Sequence, residues 1–177
     1  ACSSGSLHSS HVLQAMGADI RESARRERDG EIVADLVVRH SRLRGIDVPG
    51  GYVADMIDEF PILFVAAAVA EGTTTIRGAA ELRVKESDRI ATMAEGLHTL
   101  GIRVAQTPDG AVIEGGRLHG GRIESRGDHR VAMSFAVAGL VAKDPVRISD
   151  CANVATSFPG FAALANVAGF ALRESLG

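Results

Sequence analysis

The sequence predicts an α/β domain built from repeated units, with apolar helices inside and short sheets outside. One observation is a motif found three times, an apolar helix, a glycine and then a strand: Leu13–Ile20 around Gly17, Leu97–Val104 around Gly101, and Ala165–Leu172 around Gly169. Glycine takes the left-handed conformation that commonly ends a helix. A second observation is a pair of Ala-rich helices, Phe60 to Ala70 and Val131 to Ala142, each followed by β-branched residues. Helices apolar on nearly every side are buried on most sides. The third is the short, Gly-bounded strand segments Ala111–Glu114 and Arg122–Glu124.

Taken in order, the chain opens with Ala-Cys-Ser-Ser-Gly-Ser, neither an apolar signal core nor an amphipathic presequence. Residues 1–10 read as a flexible or cloning-derived start, and 11–177 as one domain. A helix through Leu13 leads to strands at Ile20–Ser23 and Ile32–Val38. The middle segment carries the whole unit: helix Glu59–Glu71, strand Thr73–Arg77, helix Ser87–Leu100, strand Ile102–Gln106 and the two short strands. The last copy contributes helix Val131–Ala142, strand Val146–Ile148, a helix before Gly169 and a final strand at Phe170–Arg173. Gly115-Gly116 and Gly120-Gly121 read as turn residues, because no Lys-Ser/Thr helix start follows them to make a phosphate loop.

Composition excludes several function classes. With 177 residues, 46% of them apolar, there is enough chain for one substantial core. A net charge of −3 offers no field for a polyanion, so no nucleic-acid partner is expected. The apolar run at Phe60–Ala70 is about half the roughly 20 residues that span a bilayer, so no membrane partner is expected. Cys2 and Cys151 form no zinc or disulfide pattern, and His8 and His11 lack further ligands; the expectation is no metal, no cofactor and a reducing cytoplasm.

Three polar clusters stand at predicted helix starts: Asp55–Pro61, Arg83–Arg89 and Gly127–Arg130. A helix N-terminus presents unpaired N–H groups and the positive end of the dipole, which favour anions. Lys85 and Arg89, four residues apart, suit a phosphate or carboxylate clamp unless Glu86 and Asp88 neutralise them. Plainer roles fit the same residues. Asp58 and Asp128 suit N-caps, Lys-Glu-Ser-Asp-Arg suits a solvated helix start, and His129 suits a structural hydrogen bond. Pattern and spacing alone lead to an anion site at converging helix ends and no further.

Five ordered motifs add more: Asp55-Met-Ile-Asp-Glu-Phe-Pro61, Glu71-Gly-Thr-Thr74, Leu82-Arg-Val-Lys-Glu-Ser-Asp-Arg89, Asp128-His-Arg-Val-Ala-Met-Ser134 and Ala155-Thr-Ser-Phe-Pro-Gly-Phe161. From about His11 onward the chain resembles the EPSP synthase family of enolpyruvyl transferases, of bacterial type. The resemblance implies a domain of βαβαββ units and a site in a cleft against a partner domain. This chain corresponds to the carboxy-terminal portion, without that partner domain and without the amino-terminal segment that completes its own. The implied reaction, a step of aromatic amino-acid biosynthesis in the shikimate pathway, moves the enolpyruvyl group of phosphoenolpyruvate to the 5-hydroxyl of shikimate 3-phosphate and releases phosphate. By resemblance Asp58 faces the acceptor hydroxyls, Glu86 is the acid/base beside the reacting carbon, and Lys85 contacts substrate and assists proton transfer. Arg89 and Arg130 hold the carboxylate and phosphate of phosphoenolpyruvate, with His129 alongside. Thr156-Ser157 stand where many members carry a lysine before Phe-Pro, which leaves one anion contact open. The alternatives are a fragment of the transferase acting on UDP-N-acetylglucosamine, disfavoured by Lys-Glu-Ser-Asp-Arg and Asp-His-Arg, and a non-catalytic scaffold domain. The isolated chain is expected to be inactive.

Overall fold

A computed structural model of the chain describes residues 4–28 and 31–174. Helix α1 (Ser4–Ala15) begins inside the stretch 1–10 and sends Val12 into the core, and Met16 just after it is buried as well. It feeds an antiparallel hairpin of β1 (Asp19–Arg28) and β2 (Glu31–Arg39), whose register shifts at a bulge between Ser23 and Arg26. The centre of the domain is α2 (Phe60–Ala68), preceded by a 3-10 turn at Ile57–Glu59. Seven of its residues are buried, from Phe60 and Pro61 to Ala67 and Ala68. An almost wholly apolar helix has no face to offer water, so the other elements close around it. They are α3 (Arg89–Thr99), α4 (His129–Ala138) and the sheet of β3 (Thr73–Ile76), β4 (Arg103–Thr107) and β5 (Gly110–Glu114). Among the described residues no helix is long and apolar enough to cross a membrane.

The sheet order is β3-β5-β4, all antiparallel neighbours. Leu43 to Val48, which the sequence reading left unassigned, runs alongside β3 as an irregular parallel edge. Thr75 N–H donates to Ile46 O at 2.9 Å and Val48 N–H to Thr75 O at 2.9 Å. A second layer is a parallel pair, β6 (Gly121–Glu124) with β7 (Val146–Ser149), joined by a crossover through α4. Two short helices follow, α5 (Ala152–Ser157) and α6 (Phe161–Val167).

The three helix-ending glycines do what their spacing predicts. Gly17, Gly101 and Gly169 have φ of 97°, 90° and 95°. After α3, Gly101 N–H bonds His98 O at 2.9 Å and Ile102 N–H bonds Leu97 O at 2.9 Å, the paired closure of a Schellman turn; α1 and α6 end in the same way. Strands follow the first two glycines but not the third. Phe170–Arg173 forms no strand, and Leu172 instead exchanges hydrogen bonds with the side-chain amide of Asn166. A strand needs a neighbour's backbone, and this segment finds one side chain.

Gly115 is more than a turn residue. A Cβ there would lie 1.7 Å from Ala70 O, so the chain approaches α2's end more closely than any side chain permits. Gly96 plays the same part between helices, since its Cβ would meet the buried ring of Phe135 on α4 at 2.2 Å. Gly96→Ala gains about 1 kcal/mol of helix propensity but forces a repacking that typically costs about 1 to 3 kcal/mol. The expected result is a urea midpoint lowered by a net loss of up to about 2 kcal/mol with an unchanged m-value. A raised midpoint would show that Phe135 yields without cost.

Candidate active site

Helices α3 and α4 start close together beneath the 3-10 turn that precedes α2, and the three polar clusters meet there. Asp128 caps α4, its Oδ1 accepting from Arg130 N–H at 3.0 Å and Val131 N–H at 3.3 Å. Asp88 caps α3, accepting from Ala91 N–H at 3.0 Å. Asp58 is not a cap: it lies one residue before Glu59, the capping position of α2, and that end makes no side-chain cap bond. Its carboxylate turns instead to two arginines.

Arg89 is the hub. Its side chain is 1% exposed and three carboxylates surround it. Nε donates to Asp128 Oδ2 at 2.9 Å, Nη1 to Asp58 Oδ1 at 3.0 Å, and Nη2 to Glu86 Oε2 at 2.5 Å. Arg130 approaches from α4, with Nη1 donating to Asp58 O at 3.1 Å and Nη2 lying 3.4 Å from Asp58 Oδ2. Ser87 Oγ donates to Asp128 Oδ2 at 3.1 Å and completes the shell of that fully buried carboxylate. Burial works against both charges of the Arg89–Asp128 pair. Their mutual hydrogen bonds and attraction outweigh it, raising the pKa of Arg89 and holding that of Asp128 below the usual carboxylate range.

The clamp of Lys85 with Arg89 does not form in this structure. Lys85 follows the 3-10 turn Ala80–Val84 and pairs with Glu81, while Arg89 points inward to Asp128. Acidic neighbours neutralise both cations, so no open positive pocket is formed by this pair. Asp58 and Glu86 are 45% and 48% exposed, whereas Asp128 is 0% exposed. His129 opens α4, half-buried, its side chain with no hydrogen-bond partner among the described residues. Thr156 lies exposed on α5. From sequence, Asp128 reads as a cap and Ser87 has no assigned role. The cap pattern was visible, but nothing local signals that the second carboxylate oxygen reaches a residue 39 positions away.

The model of the family EPSP synthase (3-phosphoshikimate 1-carboxyvinyltransferase) matches residues 3–164. The chain belongs to the EPSP synthase family. It is 61% identical over 164 residues to a 3-phosphoshikimate 1-carboxyvinyltransferase of Xanthomonas oryzae pv. oryzae, covering 93% of this chain and 37% of that protein. A Legionella pneumophila protein of the same name is 56% identical, covering 93% of this chain and 38% of its own length. Among solved structures, an EPSP synthase from Acinetobacter baumannii superposes with a TM-score of 0.92 at 48% identity, covering 98% of this chain and 40% of that one. The chain therefore spans about two fifths of the length of these EPSP synthase relatives, and its mixed α/β fold is the family's.

Proposed function

We propose that this chain is one wall of the active site of an enzyme that transfers the enolpyruvyl group of phosphoenolpyruvate to the 5-hydroxyl of shikimate 3-phosphate. The observation that supports this reading most is the convergence of Asp58, Glu86, Arg89 and Arg130 on one set of hydrogen bonds at two helix starts. Addition of a hydroxyl across the enol double bond needs a base for the hydroxyl and an acid for the methylene carbon, and elimination reverses both transfers. Asp58 and Glu86 are partly exposed carboxylates suited to those tasks, 45% and 48% accessible. Arg89 and Arg130, with the positive ends of α3 and α4 behind them, stabilise the phosphate and carboxylate of phosphoenolpyruvate once the protein's own carboxylates give way. Lys85, released from Glu81, contacts substrate, and His129 lines the same edge.

The chain by itself is expected to be silent. Precise placement of reactants supplies at best about 7 to 11 kcal/mol of a rate enhancement, and the resemblance assigns the grip on the shikimate phosphate chiefly to the other domain. The test is phosphate release from the two substrates, with this chain alone and mixed with the separately expressed remainder of its parent protein. Activity only on mixing, abolished by Asp58→Ala, is expected. Steady turnover by the chain alone would refute its dependence on the partner domain, and silence of the mixture of two folded parts would move the chain to a scaffold role.

A further inference from the structure

Between the hub arginine and the rest of the domain lies the stretch Lys85-Glu86-Ser87-Asp88, outside any helix or strand. Irregular chain carrying acid/base groups needs something to hold it. Arg83, which the reading above does not use, has all three faces of its guanidinium engaged there. Nη1 donates to Asp88 Oδ2 at 2.6 Å, Nη2 to Thr107 O at 2.6 Å and Nε to Pro108 O at 2.9 Å. The turn it grips is itself fastened: Asp109 Oδ2 accepts from Gly78 N–H at 2.8 Å and Asp109 O from Ala79 N–H at 2.7 Å. Through Asp88 the same guanidinium reaches the α3 cap, because the other oxygen of that carboxylate takes Ala91 N–H. Asp88, at the far end of the stretch, is thus held from two sides, by Arg83 and by the α3 cap bond, while Lys85 at the near end pairs with Glu81.

We propose that Arg83 is a positioning residue, which sets Lys85 and Glu86 against the reacting atoms by locking Asp88 to the β4–β5 turn. This rests on the enolpyruvyl reading only for its kinetic consequence. A planar fork with three directed donors does this work and an ammonium does not, so Lys is a poor substitute. Arg83 makes no hydrogen bond to Arg89 or Arg130, so its loss acts first on the placement of Lys85 and Glu86.

The experiment takes Arg83→Ala and Arg83→Lys in the full-length parent protein and follows amide hydrogen exchange together with phosphate release. Loss of the lock on a helix cap is expected to speed exchange at residues 86–91 by about fivefold while the α2 amides exchange as before. In the same variants kcat falls by about 10²-fold, the scale of a small misplacement of reacting groups, and KM changes by a smaller factor. Guanidinium ion at non-denaturing concentration restores part of kcat in Arg83→Ala. Unchanged exchange at 86–91, or a rise spread equally into α2, would overturn the proposal, as would an unaltered kcat in an active protein. If the unsubstituted protein releases no phosphate, the enolpyruvyl reading fails, and the exchange pattern still decides whether Arg83 holds this stretch.

Discussion

Asp128→Ala destabilises the domain by about 3 to 5 kcal/mol, the usual cost of removing one partner from a buried ion pair. Asp128 is 0% exposed and Arg89 is 1% exposed, so the stranded guanidinium has no route to water without opening the packing around α3 and α4. Asp58 and Glu86 still face it, which limits the loss to this range rather than unfolding the domain outright. Loss of the α4 cap accounts for about 1 kcal/mol of the total. Asp128→Asn separates the two parts: it keeps an acceptor for the Arg130 and Val131 amides and removes the charge, so it should recover about that cap contribution and no more. Thermal or urea unfolding of the three proteins reads the difference. Equal stability of Asp128→Ala and the unsubstituted chain would mean that Asp58 and Glu86 suffice for Arg89.

The same pair dictates a pH dependence. The carboxyl of Asp128 is held below its ordinary value, so the stability it supplies is fully present above the unfolded value of about 3.9. That stability is lost as pH falls through the lower folded value. Acid unfolding of the unsubstituted chain should therefore carry a component below about pH 4 that Asp128→Asn lacks.

Glu86→Gln in the assembled enzyme lowers kcat by about 10²- to 10⁴-fold, the usual contribution of a positioned acid/base. Glutamine retains an oxygen to accept from Arg89 Nη2, and Glu86 is nearly half exposed, so stability should hardly move. In the role proposed for Glu86, what the amide cannot do is carry the proton to and from the methylene carbon. Single-turnover phosphate release, with unfolding midpoints measured beside it, distinguishes loss of chemistry from loss of structure. A kcat within about threefold of normal would remove Glu86 from the acid/base role.

Much of the fold was legible because its signals are local. Residues 60–68 are apolar on every side, which buries a helix wherever it is placed, and a glycine after an apolar helix declares the left-handed turn seen at Gly17, Gly101 and Gly169. Strand identity was less legible. Leu43–Val48 has an alternation interrupted at Gly45, and becomes a sheet edge because β3 offers it hydrogen bonds. Phe170–Arg173 has a strand's composition and no neighbouring strand among the described residues.

The family, the alternation of buried helices and short strands, and the residues that cluster at helix starts are all readable from the chain's residues alone. Those properties depend on residue type and on spacings of a few positions. Only the tertiary structure decided which charges pair. Arg89 finds Asp58 31 residues away and Asp128 39 away, while Lys85, four residues from it in sequence, turns to Glu81. Charge pairing follows distance and burial after the chain has folded, and no local pattern records either.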